Sequence, residues 1–373
     1  MSNTKFSNFK SEDGNTGPDL VGITSFTSPY YFVPPSGTTA QRPSNAVPGQ
    51  LRFNTDIGRL EVWRGDHWAT ILGESPNLNG GARGVFGGGD PGSSPSLVNV
   101  MDYITISTTG NAIDFGDLTG TRTILTACSS LTRGLFAGGY FNGATNSNVI
   151  DFITISSTGN AIDFGDLTQV RRGAGGCSSP TRGMIMGGFT SNFVNTIDYV
   201  TIASTGNAQD FGDTTTIRSG LDGACSSSTR GVVAGGQTPT NINVIEFITI
   251  STTGNSSDFG DLTIARGGPA AVSNSVRGVW GGGYTPSASN VIDYVTISTL
   301  GNAVDFGDLT AAKFTCGGTS SATRGVFGGG STPTVLNVIE YITIMSVGNA
   351  IDFGDLTGTR QRGPALSNAH GGL

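Results

Sequence analysis

The stretch that decides the fold runs from Asn99 to Thr119, N-V-M-D-Y-I-T-I-S-T-T-G-N-A-I-D-F-G-D-L-T, and returns from Asn148 to Thr168 as N-V-I-D-F-I-T-I-S-S-T-G-N-A-I-D-F-G-D-L-T. Within it Tyr103 and Thr105 alternate with Ile104 and Ile106, the two-residue period of a strand with unlike faces. Thr109-Gly110-Asn111 supplies residues that tolerate positive φ, as a hairpin requires, and Ala112 to Phe115 reads as the returning strand. The D-F-G-D core begins at Asp114, Asp163, Asp210, Asp258, Asp305 and Asp352, six copies in all.

Upstream of each copy an Arg-Gly pair heads a short apolar run that ends in a glycine pair, as in Arg83 to Gly88. The arginines are Arg83, Arg133, Arg182, Arg230, Arg277 and Arg324, 47 to 50 residues apart, and His370-Gly371 falls where a seventh unit would begin. Each unit therefore carries four strands: Val85-Phe86, Val100 to Ser107, Ala112 to Phe115, and a fourth from about Thr123 to Ser129. A four-stranded unit at this period predicts a propeller blade, whereas a solenoid has shorter coils and needs capping ends. The last fourth-type strand, between Arg360 and Asn368, lacks partners of its own. It is expected to complete the first blade, close the ring and protect its edges. The expected architecture is all-β: a six-bladed β-propeller over residues 81–373, a small β module over 42–80, and an extended arm over 1–41.

An apolar strand ended by a diglycine, then an aromatic, a second aromatic and an Arg resembles the kelch repeat, from Arg83 to Leu373. The second aromatic here is Phe115, Phe164, Phe211, Phe259, Phe306 or Phe353, where kelch repeats usually carry Trp, and the interval from Tyr103 to Phe115 is longer than in typical units. The resemblance implies the architecture and no particular kelch activity.

Composition narrows the function. Charged residues make up 13% of the chain, the net charge is −7, and the 59 glycines follow no triplet period. A general nucleic-acid binder would be basic, and collagen would show the triplet. No apolar run reaches membrane-spanning length. The N-terminus, M-S-N-T-K-F-S-N-F-K, lacks the apolar core of a secretory signal, so synthesis in a cytoplasm and folding without disulfides are expected. Cys128, Cys177 and Cys225 each precede a repeat Arg by five residues. The equivalent positions read as Val272, Thr319 and Ala365, a small core site rather than redox or metal chemistry. Cys316 lies outside that register.

Charges recur at fixed offsets. The acids are Asp102, Asp151, Asp198, Glu246, Asp293 and Glu340, and the bases are Arg122, Arg171, Arg218, Arg266, Lys313 and Arg360. Repetition in every unit suits a structural role, with the bases pairing with acids or capping carbonyls, and Asp117 and its equivalents accepting backbone N–H bonds in tight turns. The functional alternative is a ring of six cations beside a central channel, able to hold an anion. D-F-G alone is no kinase signature without its partner motifs, and two Asp are too few for a calcium loop.

The units differ most between the diglycine and the second strand: D-P-G-S-S-P-S-L-V, Y-F-N-G-A-T-N-S, F-T-S-N-F-V, Q-T-P-T-N-I, Y-T-P-S-A-S and S-T-P-T-V-L. These loops are expected on one rim, where binding function concentrates. Their aromatics, Tyr140, Phe141, Phe189, Phe193 and Tyr284, are the candidate binding residues, suited to saccharide stacking or a protein partner, or else covering blade edges.

Residues 1–80 do not repeat. Tyr30 to Pro35 is an apolar segment stopped by proline, Leu51 to Asn54 and Arg59 to Trp63 read as strands around Thr55-Asp56-Ile57-Gly58, and Trp68 begins a third. Arg42-Pro43, Pro48-Gly49, Arg52-Phe53-Asn54-Thr55, Glu61-Val62-Trp63 and Gly65 to Trp68 resemble a segment found in bacteriophage virion proteins, especially tail fibres and other appendages. That resemblance implies an anchoring module near an attachment point, other virion proteins as partners for residues 1–80, several copies per particle, and location in the virion.

The two histidines, His67 and His370, have no triad-like partners in the sequence, and there is no Cys/His metal spacing or phosphate loop. The chain is expected to be a virion structural protein rather than an enzyme, using no cofactor or metal and meeting host surface glycan or protein through the propeller rim. A glycan-binding adhesin is the second expectation. A depolymerase using lone carboxylates such as Asp90 or Asp222 is the third.

Overall fold

The computed structural model describes residues 34–71, 82–93, 97–141, 145–220 and 223–373. Residues 1–33, most of the expected arm, and Asp222 lie outside them. The chain divides into two compact units, residues 1–75 and 76–373.

The first unit is a four-stranded sheet in the order Ser36–Gly37, Leu51–Asn54, Arg59–Trp63, Trp68–Thr70. Its first strand runs parallel to the second, and the other neighbours pair antiparallel. Ser36–Gly37 and the 3-10 turn at Thr39–Gln41 belong to this sheet unit, so it begins before the Arg42 boundary drawn from the sequence. Strand alternation puts Arg52 and Asn54 on one face, and register pairs Arg52 with Glu61. Glu61 is fully buried and accepts from Arg42 Nε at 3.1 Å, with Arg52 Nη1 3.6 Å from its other oxygen. The Arg42 hydrogen bond holds the Glu61 carboxyl below the ordinary glutamate range against the opposing cost of burial. Asn54 accepts from Asp56 N–H and donates to Thr39 Oγ1, both at 3.0 Å, which fixes the turn at Thr55 to Gly58. Trp63 and Trp68 pack with ring centroids 5.6 Å apart.

The second unit is all-β among the described residues and propeller-like: four-stranded antiparallel sheets of one pattern, repeated along the chain. Thr126–Ser129, Arg133–Ala137, Val149–Thr154 and Ile162–Asp166 form one of them. The strand Ala365–Ser367 pairs with Arg83–Gly87, so the sheet holding Val100–Thr105 and Ile113–Asp117 draws on both ends of the repeat region. Smaller pairings lie outside these sheets, notably Arg122–Thr123 with Tyr140–Phe141. The expected fourth strand from Thr123 to Ser129 is therefore broken: Ile124 has φ +55°, and only Thr126–Ser129 pairs in the main sheet. Register also corrects one core position. Ser367 pairs with Gly84 as Ser129 pairs with Gly134, so Leu366, not Ala365, takes the place of Cys128.

The D-F-G-D sequence acts at the junction between neighbouring sheets. Opposite Gly116 the register slips between Met101 and Asp102, a β-bulge. Gly116 has φ +138°, and a Cβ there would lie 2.5 Å from the Gly159 carbonyl oxygen of the next repeat. The close approach lets the Gly159 and Ala161 amides donate to the Phe115 and Asp117 carbonyls. The side-chain bond at this turn differs from the expected one: the Asp117 N–H donates to Asn160 Oδ1 at 3.0 Å, so Asn is the acceptor that the turn supplies. Equivalent bonds recur along the repeats, and the last joins Asp355 N–H to Asn111 Oδ1 of the first.

Apolar residues fill the space between sheets. Tyr103 meets Phe115 edge-on at 6.0 Å. Arg83 lies 4.8 Å from the Tyr103 ring and donates to the Ile155 carbonyl of the next repeat, so one side chain stacks on its own sheet and ties it to another. The cysteine position is narrow because a glycine faces it: a Cβ on Gly183 would be 2.5 Å from Cys128 Sγ. All four cysteines are buried and none forms a disulfide, and burial pushes Cys128 up to about 12.

Candidate functional site

The repeated charges are consumed inside the structure. Arg171 Nη2 sits 2.9 Å from Asp198, Arg266 Nη2 2.9 Å from Asp293 and Arg360 Nη2 2.6 Å from Asp102, and Arg122, Arg218 and Lys313 pair likewise with Asp151, Glu246 and Glu340. All six acids are fully buried. Each base meets the acid of the following repeat, and the last, Arg360, meets the acid of the first. The arginines also donate to backbone carbonyls, as Arg122 does to Gly138 and Val149. The Thr of D-F-G-D-L-T joins the same acid, Thr119 Oγ1 donating to Asp151 at 2.7 Å. Burial lowers the arginine pKa values and the paired carboxylates oppose that shift. These cations already hold carboxylates, so a ring of free cations open to an anion is not what they form.

Ser129, Ser178, Ser226, Ser273, Ser320 and Ser367 make a second circuit. Each hydroxyl donates to the carbonyl of the corresponding serine one repeat earlier, at 2.6 to 3.0 Å, and Ser129 donates to Ser367. The six strands that carry these serines surround a cavity of about 50 Å³, with His370 at its wall. His370 Nε2 lies 3.1 Å from Ser178 Oγ and 3.2 Å from the Ser129 carbonyl. Sequence offered no partner for His370, and this contact has the look of a nucleophilic dyad. The bonding excludes it. The Gly372 amide donates to His370 Nδ1, so the ring proton is on Nε2 and points at Ser129 and Ser178. Ser178 gives its own proton to the Ser129 carbonyl. A general base needs the reverse arrangement. Burial pushes His370 down to about 4. The C-terminal residues thus stopper the cavity, Gly371 N–H donating to the Ser273 carbonyl at 3.1 Å.

At the N-terminal ends of the same strands the repeats stop being equal. Ile124, Gly173, Gly220, Gly268, Thr315 and Arg362 occupy one position, all with φ between +55° and +71°. Five of their amides donate to the carbonyl of a neighbour in this set, as Ile124 does to Arg362 and Arg362 to Thr315. The left-handed backbone is what turns both N–H and C=O into that circuit, so the geometry is imposed even on Ile124, Thr315 and Arg362, where it is strained. The preceding position, directly after the buried base, is Thr123, Arg172, Ser219, Gly267, Phe314 or Gln361.

A cavity of about 560 Å³ opens here. Phe189, Phe193 and Tyr284, three of the five candidate aromatics, line it. Tyr140 reaches it indirectly, 4.8 Å from the Arg172 guanidinium. Phe141 is not part of its wall and stands beside Gly120. Asp90 is engaged as well, accepting from Gly92 N–H and from Gln361. Sequence reasoning passed over Arg172, Phe314, Thr315 and Arg362. The available signal was variation immediately after an invariant base. No family model matches the chain, and no curated protein matches it significantly.

Proposed function

We propose that the chain is a bacteriophage virion structural protein, an appendage component that attaches through residues 1–80 and displays residues 81–373 as a closed six-bladed propeller. The displayed rim meets the host surface or neighbouring virion proteins, and several copies on one particle multiply weak contacts. Closure is supported by three circuits that return to their start: the serine hydroxyls through Ser129 and Ser367, the ion pairs through Arg360 and Asp102, and the turn bonds through Asp355 and Asn111.

The observation that carries the attachment reading is the first unit. Arg42, Arg52, Asn54, Glu61, Trp63 and Trp68, which carry the likeness to phage appendage proteins, are the side chains that interlock it. A display role rather than catalysis is supported by the use of the repeated charges within the scaffold and by the His370 proton placement. A surface adhesin that binds glycan is the second reading, favoured by the aromatic-lined cavity.

Cryo-electron microscopy of intact particles tests the proposal. Six-bladed density on a tail or head appendage, with the variable loops outward, is the expected result. Density in which those loops are buried against neighbours would make the protein an assembly element. Absence of such density would overturn the virion reading and leave the adhesin ahead.

A further inference from the structure

A single ligand cannot use six equal surfaces, so a site belongs where the repeat breaks its symmetry. The 560 Å³ cavity is that place. Two cations line it, Arg172 and Arg362, and no Asp or Glu does among the described residues, in a chain whose net charge is −7. Neither cation has an ion-pair partner among the described residues, unlike the six buried bases. Arg172 is held in place: its guanidinium lies 4.8 Å from the Tyr140 ring and 5.0 Å from Phe189, and Nη1 donates to Asn146 Oδ1. Arg362 sits at φ +59°, at a position where three other repeats place glycine. Thr315, also strained at φ +56°, has a buried hydroxyl with no hydrogen-bond partner. The circuit explains the left-handed backbone and glycine satisfies it in three repeats, so non-glycine side chains kept at the other positions, one with an orphaned hydroxyl, serve something other than stability.

The walls name the ligand class. Phe189 and Phe193 meet edge-on at 5.4 Å, and Tyr284 and Phe314 at 5.5 Å. These pairs present fixed apolar surface, interleaved with the polar side chains of Ser219 and Gln237. Such a mixture suits a ring with C–H faces and hydroxyl edges, and the guanidiniums suit a planar oxyanion. A concave volume of this size falls in the range of small-ligand sites and holds a ring or two better than a peptide chain. We infer that this cavity is a binding site for an acidic saccharide, a sugar residue bearing a carboxylate, with Arg172 and Arg362 receiving the carboxylate and the aromatic pairs the ring. The inference deepens the display reading by naming what the displayed face recognises. It is tested on the isolated full chain, so its failure would leave the question of particle location to microscopy.

The repeats themselves supply the control substitutions. Arg362→Gly installs the residue found in three other units, and Arg172→Ser installs that of Ser219. Titration of the purified full chain with D-glucuronate, followed by saturation-transfer NMR, is expected to show saturable binding. D-glucose and acetate should bind at least ten-fold more weakly, and each substitution should weaken glucuronate binding at least ten-fold. Thermal unfolding of the variants serves as the folding control, with the midpoint of Arg362→Gly expected at or above that of the parent. Acetate binding as well as glucuronate would reduce the site to a general anion pocket and overturn the sugar assignment. Equal glucose binding would remove the carboxylate from it. Preference for an Asp/Glu-rich peptide would reassign the cavity to a protein partner. No binding, or binding indifferent to both substitutions, would overturn the inference outright.

Discussion

At the residue scale, the buried pairs decide how substitution reads out. Asp198 and Arg171 are both without solvent exposure, and removing one partner strands the other charge in a medium that cannot solvate it. Asp198→Ala is expected to lower unfolding free energy by about 3–5 kcal/mol, measured by urea denaturation. Replacing both residues with apolar ones of similar volume should recover much of that loss. Arg362→Gly acts in the opposite direction: relief of a left-handed non-glycine backbone is worth about 1 kcal/mol in stability, so a raised midpoint is expected while ligand binding falls. His370 adds a pH dependence. Its folded value of about 4 lies below the ordinary 6.5, so the docked tail binds fewer protons than the free one and is disfavoured by acid. Its docking is complete above about pH 6.5 and weakens progressively toward pH 4. The loss should amount to no more than about 3 kcal/mol and should disappear in His370→Gln, as followed by urea denaturation across that range. The other titratable groups lining this cavity are Cys128, Cys177 and Cys225, whose thiols burial keeps protonated throughout. They contribute nothing to the slope.

At the element scale, the D-F-G-D strand and the Gly-Asn turn are one device split across two repeats. The strand alone reads as an outer edge, yet its carbonyls and the Asp117 amide are satisfied by the neighbouring turn. Two glycines separate conformational strain from close approach. Gly110 has φ +154° with open space around its Cβ position, whereas Gly116 has φ +138° with Gly159 backbone 2.5 Å away. Gly110→Ala should cost only about 1 kcal/mol. Gly116→Ala should cost about 3 kcal/mol or more, because the neighbouring backbone must also move. Equal midpoints for the two variants in thermal unfolding would remove the close approach as the reason for this glycine. The element-level reading from sequence placed most strands within two residues, but it ran the fourth strand through Ile124. Nothing in an Ile side chain announces a left-handed backbone. The reason lies in the amide-to-carbonyl circuit it joins with Gly173 and Arg362.

At the scale of the whole molecule, the two ends of the repeat region depend on each other. Ala365–Ser367 is hydrogen-bonded to Arg83–Gly87, and Ser367 links Ser129 to Ser320. Truncation after Pro364 removes a strand and opens the serine circuit, so cooperative unfolding should be lost or its midpoint lowered by many degrees. Truncation after Asn368 removes only the stopper, so the transition should stay cooperative, lose no more than the His370 docking contributes, and lose the His370 pH dependence. Circular dichroism melts of the two truncated chains against the full one test this, and equal melts would overturn the clasp.

Some of this was determined by sequence alone: the all-β class, the repeat period, and the hairpin strands at Leu51–Asn54 and Arg59–Trp63. These depend on local alternation, turn residues and spacing, which act between near neighbours in the chain. The repeated acids and bases were visible too, but their pairing one repeat apart was not, since each member is unremarkable until the sheets come together. Only tertiary structure decided that Leu366 takes the place of Cys128 in register, that the serine after it donates to the strand one repeat earlier, and that His370 holds its proton away from a catalytic role. It also decided where asymmetry matters. Arg172 and Arg362 are 190 residues apart in the chain and line one cavity because the strands that follow them in sequence converge. Convergence of that kind is a property of packing, and no window along the sequence contains it.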